Sequence, residues 1–257
     1  MAGATIERPL VDDRRFFRDL ITAMAIILVA GFVVQLALGR SSFNSPLIVH
    51  LHAFAFMGWV AITVAQSWLA ANRNAAMHRR LGQIAVIWAI SLLVLGPMVT
   101  IANVQTARTP FFFQPQHFLI ANPVGLLGFA GLFFAAIALR RQADWHARLH
   151  VSAFVMLMGP GFGRLLPMPF LTPYAFEIAV LVPLIFPIIG IVRDWRVQGR
   201  PHPAWFWGIG VLLATLLLAR VIGFSPIGEA IYAATTAGGG LAGTDGLAFP
   251  PPPPAPM

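Results

Sequence analysis

Seven long apolar segments constrain the fold of this chain more than any other feature of its sequence. Each is close to the ~20 residues that an α-helix needs to cross the hydrocarbon core of a bilayer. The segments cover residues 20–38, 47–70, 81–103, 117–139, 149–167, 174–192 and 204–222. Because they are continuous and do not alternate apolar with polar residues, they indicate helices, which satisfy their own backbone hydrogen bonds in lipid. The predicted fold class is all-α: a polytopic membrane helical bundle with seven transmembrane helices.

The composition agrees with a membrane protein and excludes several kinds of chemistry. Hydrophobic residues make up 58% of the chain and charged residues 10%, whereas soluble domains carry about 25% charged residues. Without cysteine, disulfides, thiolate metal sites and iron–sulfur clusters are excluded. All 17 basic residues are arginine, so a retinal Schiff base is excluded as well. The net charge of +8 is scattered in short clusters, which is not the basic face of a nucleic-acid-binding protein.

The arginines predict how the bundle is oriented. With a cytoplasmic N-terminus, the cytoplasmic side carries Arg8, Arg14, Arg15, Arg18, Arg73, Arg79, Arg80, Arg140, Arg141, Arg148, Arg193, Arg196 and Arg200. The other side carries Arg40, Arg108, Arg164 and Arg220. Cytoplasmic loops of membrane proteins are enriched in arginine and lysine, so this bias predicts the N-terminus inside and the C-terminus outside.

Three regions follow from this topology. Residues 1–19 are predicted to be a cytoplasmic N-terminal segment, and the apolar run that follows exceeds the ~7–15 residues of a signal-peptide core, which indicates a retained helix. Residues 20–225 form the seven-helix membrane domain. Residues 226–257 are rich in glycine and proline, and we expect a disordered tail on the non-cytoplasmic side.

The histidines fall into two layers when their depth is taken from this topology. His52 and His117 lie near the outer face, in the second and fourth segments. His78 and His150 lie near the inner face, at the third and fifth. A b-type haem needs two imidazoles that reach the iron from opposite sides, within a bundle core. Small residues follow His117 and His78 along one helical face: Ala121, Val124, Gly128, Gly131 and Ala135 on one helix, and Gly82, Ala85, Ala89 and Gly96 on the other.

Arginines close to both layers can pair with the propionates of such a group. The inner candidates are Arg73, Arg79, Arg80 and Arg148, and the outer candidates are Arg40 and Arg108. A structural interpretation remains open beside the functional one. Small-residue faces are the ordinary means of packing membrane helices closely, and histidines beside arginine or tryptophan can lie at the lipid headgroups. The headgroup interpretation applies to His50, His78, His146 and His202.

The order and sides of these histidines resemble the ascorbate-linked, ferric-reductase-type family of two-haem transmembrane cytochromes b. The resemblance covers residues 47–167, the four-helix histidine core. It implies one or two b haems, with His52 and His117 as iron ligands of the outer one and His78 and His150 of the inner one. That family has six helices, and its spacing between the second and third histidines is longer.

Two short motifs resemble a second, wider group of uncharacterised bacterial membrane proteins. They are MHRRLG, which contains His78 and Arg79, and DWHARLH, which ends at His150. Some members of that group resemble cytochrome oxidase assembly factors. The resemblance implies a multi-pass protein of the bacterial inner membrane.

Three classes of function remain open on the sequence. The first is a b-type cytochrome-like membrane protein that passes electrons across or within the bilayer, with a quinone as a candidate partner. The second is a cofactor-free accessory subunit, scaffold or assembly factor of a larger respiratory or photosynthetic complex. A transporter is a third class, because Pro160 and Pro183 can break two of the helices. Glu177 is predicted to form an ion pair with Arg164 or Arg220. Enzymatic activity is left undecided.

Overall fold

The computed structural model describes residues 13–41 and 43–252 of the chain. Over those residues the protein is helical and contains no strand. Its α-helices are α1 (Arg14–Ala37), α2 (Leu47–Ala71), α3 (Ala75–Gln105), α4 (Pro115–Ala138), α5 (Ala143–Met156), α6 (Gly159–Leu165), α7 (Ala175–Leu181), α8 (Ile185–Gln198), α9 (Pro203–Gly223) and α10 (Pro226–Thr236). Short 3-10 helices lie at Met168–Leu171 and Val182–Leu184.

Six helical stretches of the described residues are long and apolar enough to cross a membrane. They are α1, α2, α3, α4, the stretch Ala175–Gln198 that joins α7 to α8, and α9. The all-helical, multi-pass class is thus confirmed, with six such helices where the sequence predicted seven. Each contains an 18-residue window whose mean hydropathy lies between 1.9 and 2.5, and such a helix is stable only when lipid or other helices cover it.

The predicted fifth span, residues 149–167, is divided between α5 and α6. The backbone N–H groups of Leu157 and Met158 bond to Phe154 O and Val155 O, three residues back, which tightens the last turn of α5. Pro160 has no N–H to donate to the α5 ladder, and it occupies the first turn of α6, where no donor is required. The Gly–Pro sequence therefore ends one helix and starts another.

The helices run back and forth between two ends of the bundle. At the proximal end, where α1 begins, α3, α5 and α9 also begin. At the distal end α2 and α4 begin. Tight links at residues 72–74 and 139–142 connect α2 to α3 and α4 to α5, and sequential helices pack side by side.

Aromatic rings and close backbone contacts form the middle of the core. The Trp59 ring is fully buried and makes edge-on contacts with Phe129 and Phe154, each at 5.2 Å between ring centroids. Toward the distal end α1 crosses α6 at Gly31 and Gly161, where a Cβ on Gly31 would lie 2.4 Å from Gly161 O. Only glycine lets the two backbones approach this closely.

A buried ion pair joins the helices at the proximal end. The Arg148 guanidinium is fully buried and donates to both carboxylate oxygens of Asp194, from Nε at 2.8 Å and from Nη2 at 2.7 Å. Trp205 Nε1 donates to the same carboxylate at 2.8 Å. Asp13 accepts from Arg148 at 3.3 Å and also accepts from Arg193. These contacts connect α5, α8 and α9 with the residue that precedes α1.

The segment predicted to be a disordered tail is ordered over much of its length. Residues 226–236 form α10, and the chain beyond it packs on the distal end of the bundle: Gln116 N donates to Gly246 O at 2.8 Å, and Gln114 Nε2 donates to Leu247 O at 2.7 Å. These bonds satisfy polar groups at the start of α4. Residues 253–257 of the predicted tail, and residues 1–12 of the predicted N-terminal segment, lie outside the described residues.

Candidate ligand cavity and histidine clusters

A cavity of about 1380 Å³ lies in the distal half of the bundle. Its wall is formed by the ends of α1 and α3, the starts of α2 and α4, and parts of α6, α7 and α9, together with the phenylalanines of the loop before α4. Most of the lining side chains are apolar. The ionisable ones are His52, Arg40, Arg108 and Arg164, and no carboxylate is among the described lining residues. The cavity therefore combines a large apolar space with uncompensated positive charge.

Among the described residues of this wall, His52 is the one histidine. Its ring stacks on Phe56, one helical turn further along α2, with 6.0 Å between the centroids. Its Nδ1 atom is buried and has no hydrogen-bond partner in the part of the chain that the structure describes. Buried polar atoms of proteins are nearly always paired, so a buried imidazole nitrogen without a partner suggests a missing ligand.

Arg164 belongs to the same wall and is held in place by uncharged groups. Its Nη1 donates to Pro160 O at 2.8 Å, and its guanidinium lies 4.0 Å from the centroid of the Phe32 ring. Gln35 Nε2 donates to the Arg164 carbonyl at 2.9 Å, which fixes α6 against α1. These partners carry no charge, so none of them is a counter-ion for the Arg164 guanidinium beside the cavity.

His117 lies in different surroundings from His52. It is buried, but it is not among the residues that line the cavity. Its ring contacts Phe176 at 5.1 Å and Phe224 at 5.3 Å between centroids, and its Nε2 atom has no hydrogen-bond partner among residues 13–41 and 43–252. The structure thus does not bring the two histidines of the predicted outer pair to one cavity.

Close to His117, Arg220 Nη1 donates to Glu177 Oε1 at 2.6 Å. This is one of the two ion pairs that the sequence predicted for Glu177. It links α7 to the last turn of α9 at the distal end.

The histidines at the proximal end do come together. The rings of His78 and His146 lie 6.2 Å apart, and those of His146 and His150 lie 4.5 Å apart, measured between centroids. His78 and His150 are the predicted inner pair, and His146 lies between them. Sequence reasoning missed His146 because it assigned this residue to the lipid headgroups. Its spacing of four residues from His150 is the signal that places both rings on one face of α5.

The arginines predicted to bind a cofactor at this end differ in their surroundings. Arg79 is exposed, and so it is available to an anion near the proximal surface. Arg148 is buried and already donates to Asp194 and Asp13, and to the carbonyl of Asp144. Its guanidinium is therefore occupied by the chain's own oxygen atoms.

The two remaining histidines have peripheral positions. His50 is exposed on α2. His202 precedes α9, and its Nδ1 accepts a hydrogen bond from Ala204 N at 3.2 Å, which caps the helix. Burial lowers the pKa of the His202 imidazole below its ordinary value, and the Arg148 charge lowers it further. His202 is therefore expected to be neutral at pH 7.

In the described ranges, no three histidine, aspartate or glutamate side chains are already grouped as the ligands of one metal ion. Comparisons with protein-family models, with curated proteins and with solved structures find no match for the chain.

Proposed function

We propose that this protein is a b-type cytochrome-like protein that passes electrons within or across the bacterial inner membrane. The observation that carries the proposal is the distal cavity, which combines space, a histidine with an unpartnered buried nitrogen, and arginines without carboxylates. Haem b is flat and largely apolar, and it carries two carboxylates at one edge. The apolar ring matches the space, the iron matches the histidine nitrogen, and the carboxylates match the arginines.

The size of the cavity supports a ligand as large as a macrocycle. Pockets for small molecules usually enclose about 300–1,000 Å³, and this cavity encloses about 1380 Å³. The helices around the space pack on one another, and the distal loops add the lining residues at 38–41, 110–113 and 166–170.

The residues in the wall fit haem in a specific way. His52 would supply one nitrogen ligand, and Arg108 and Arg40, both exposed at the rim, would pair with the propionates. Because His117 does not line the cavity, a second ligand would come from another residue. Met57 and Met156 are in the wall, and a methionine thioether together with a histidine is an established pair of haem ligands. The group would supply a one-electron redox couple, and a membrane quinone is a suitable partner for it.

The chain's own residues would set the properties of this couple. Apolar walls keep water out, and the arginines place positive charge beside the cavity. Both features influence the relative stability of the two oxidation states, because the iron centre gains or loses a charge there. Arg164, held by Pro160 O and the Phe32 ring, would contribute a fixed positive charge.

The proposed orientation places the proximal end in the cytoplasm. The links at 72–74 and 139–142, and the end of α8, all lie at this end, and they carry or adjoin most of the arginines. In this proposal α5 and α6 together form a seventh, broken crossing, so that the N-terminus is inside and the C-terminus outside.

An absorption spectrum tests the proposal. The full chain is expressed with haem supplied, purified in detergent, and recorded as a reduced-minus-oxidised difference spectrum. We expect a Soret difference band whose amplitude falls by at least about tenfold in His52→Ala, because an axial ligand is lost. His50→Ala, which changes an exposed histidine on the same helix, should keep the full amplitude.

A colourless wild-type preparation contradicts the proposal. That result favours the cofactor-free accessory subunit, which is then tested by isolating the protein from native membranes under mild conditions and asking whether a larger complex accompanies it in fixed ratio.

A further inference from the structure

The histidine cluster at the proximal end is separate from the distal cavity and is not used by the proposed function. His78 lies on the first turn of α3, and His146 and His150 lie on the first two turns of α5. All three are half-buried. They belong to two helices that are distant in the sequence, so the fold, and not only the local spacing, assembles the cluster.

Two of the rings are oriented by backbone carbonyl groups. His78 Nδ1 is 3.2 Å from Gln66 O on α2, and His146 Nδ1 is 2.8 Å from Ala136 O on α4. A carbonyl oxygen only accepts, so in both rings Nδ1 donates, and in a neutral ring of this tautomer Nε2 has a free lone pair. Metal-binding histidines in proteins typically have this arrangement, in which the non-ligating nitrogen donates to a carbonyl or carboxylate.

The same hydrogen bonds also have a structural role. Ala136 O belongs to the last turn of α4, whose carbonyls lack helical partners, so His146 satisfies a group that the helix leaves open. This role uses Nδ1 alone. It does not involve Nε2, and no hydrogen bond to the ring of His150 is found among the described residues.

The separations of the rings suit a shared ion. With a metal–nitrogen bond of about 2.0–2.1 Å, an imidazole centroid lies about 3.2 Å from the metal. Two rings then lie about 5.2 Å apart at a tetrahedral angle, about 6.4 Å apart in line, and about 4.5 Å apart at a right angle. The observed 6.2 Å lies near the in-line value and the observed 4.5 Å at the right-angle value. The donors do not converge on one point in this structure, so metal binding requires the rings to turn about their side-chain torsions.

We infer that His78, His146 and His150 form a binding site for a single divalent transition-metal ion of the kind that prefers imidazole, with Zn²⁺ as its representative. Imidazole is a good ligand for Zn²⁺, Cu²⁺ and Ni²⁺, and a poor one for Mg²⁺ and Ca²⁺. Three imidazoles leave one tetrahedral position for water or for a ligand from solution. The site differs from an inner haem because it includes His146 and requires no space for a porphyrin.

The charges around the cluster bear on its affinity. Arg79 and Arg80 follow His78 directly. Arg140 lies in the link before helix α5, and its Nη1 donates to Ile137 O at 3.2 Å. These positive charges repel a metal ion, but Arg79, Arg80 and Arg140 are exposed to solvent and screened.

Metal titration of the purified full chain tests the inference. The protein carries no polyhistidine tag, is stripped with a chelator, and is titrated with Co²⁺, whose visible bands report tetrahedral nitrogen coordination, and then with Zn²⁺ as competitor. We expect one Co²⁺ per chain, displaced by one Zn²⁺. Mg²⁺ in excess should displace neither ion.

Two variants separate ligation from folding. In His146→Asn the side-chain amide still donates to Ala136 O but cannot replace Nε2, so the helices keep their contact while Co²⁺ affinity falls by at least about tenfold. His150→Ala should show a comparable loss. His50→Ala, at the opposite end, should bind as the wild type does.

Unchanged Co²⁺ affinity in His146→Asn, or no binding by the wild type, overturns the inference. A haem spectrum that depends on His78 and His146 instead of His52 also overturns it, because the cluster would then hold a porphyrin. Loss of the Soret band in His52→Ala with Co²⁺ binding intact separates this inference from the proposed function.

Discussion

Asp194 is expected to be the most sensitive position for the stability of the bundle. Its carboxylate is fully buried, binds the Arg148 guanidinium through both oxygens, and accepts from Trp205 Nε1. Asp194→Asn removes the negative charge but keeps the shape of the side chain. The guanidinium then remains buried without its main counter-ion, and breaking one half of a buried pair costs about 3–5 kcal/mol.

The assay is reversible unfolding in mixed micelles of mild detergent and dodecyl sulfate, followed by helix content or tryptophan fluorescence. Asp19→Asn is a matched control, because Asp19 pairs with the neighbouring Arg18 while 65% of its side-chain surface is exposed. Exposed pairs contribute about 0–1 kcal/mol. The double variant Arg148→Met/Asp194→Leu should recover most of the loss, since replacing both members of a buried pair is often neutral. Equal unfolding free energies for Asp194→Asn and Asp19→Asn would contradict the structural role assigned to the pair.

Two further substitutions probe the packing of the bundle by the same unfolding measurement. Gly31→Ala should cost about 1–3 kcal/mol, because its Cβ would clash with Gly161 O; Gly210→Ala in α9, with nothing within 4 Å of the new Cβ, should be neutral or stabilising, and equal losses in the two variants would contradict this view of the helix crossing. Trp205→Phe removes one hydrogen bond to the Asp194 carboxylate and should cost about 1.5–3 kcal/mol, and an unchanged unfolding free energy would show that the indole N–H contributes nothing there.

The number and type of helices were largely predictable, and their interruptions were not. Hydropathy detects apolar runs of spanning length, and six of the seven predicted runs coincide with helices of that length. The fifth run contains Gly159 and Pro160, which indicate a break. Whether such a break is a bend or a complete end of the helix depends on whether other groups satisfy the freed carbonyls, which a sequence pattern does not specify.

The predicted tail, residues 226–257, differs from its prediction for another reason. Its glycine and proline content favours disorder, yet Ser225 caps α10 by accepting from Gly228 N at 3.4 Å, and Pro226 occupies the first helical position. Both residues are start signals for a helix. Composition averaged over the whole segment concealed this local signal. The packing of Gly246 on Gln116 involves residues far apart in the chain and leaves no local pattern.

The sequence predicted the depth of each histidine in the bundle, but it did not predict which of the rings lie in contact. Antiparallel helices place the starts of α2 and α4 at one end and those of α3 and α5 at the other, so depth follows from order alone. Which rings meet depends on the rotation of each helix about its axis. That rotation turns His117 toward Phe176 and Phe224, and it places His146 between His78 and His150.

The interruption between α5 and α6 divides the bundle mechanically. The continuous hydrogen-bonded ladder that would carry a displacement along a single long helix ends at Met156, before Arg164 is reached. A ligand that displaces α6 from α1 is therefore expected to disturb the Gly31–Gly161 contact while the Arg148–Asp194 ion pair keeps its geometry. One end of the bundle can therefore move while the other stays rigid. We expect backbone hydrogen exchange to be faster in α6 than in α5.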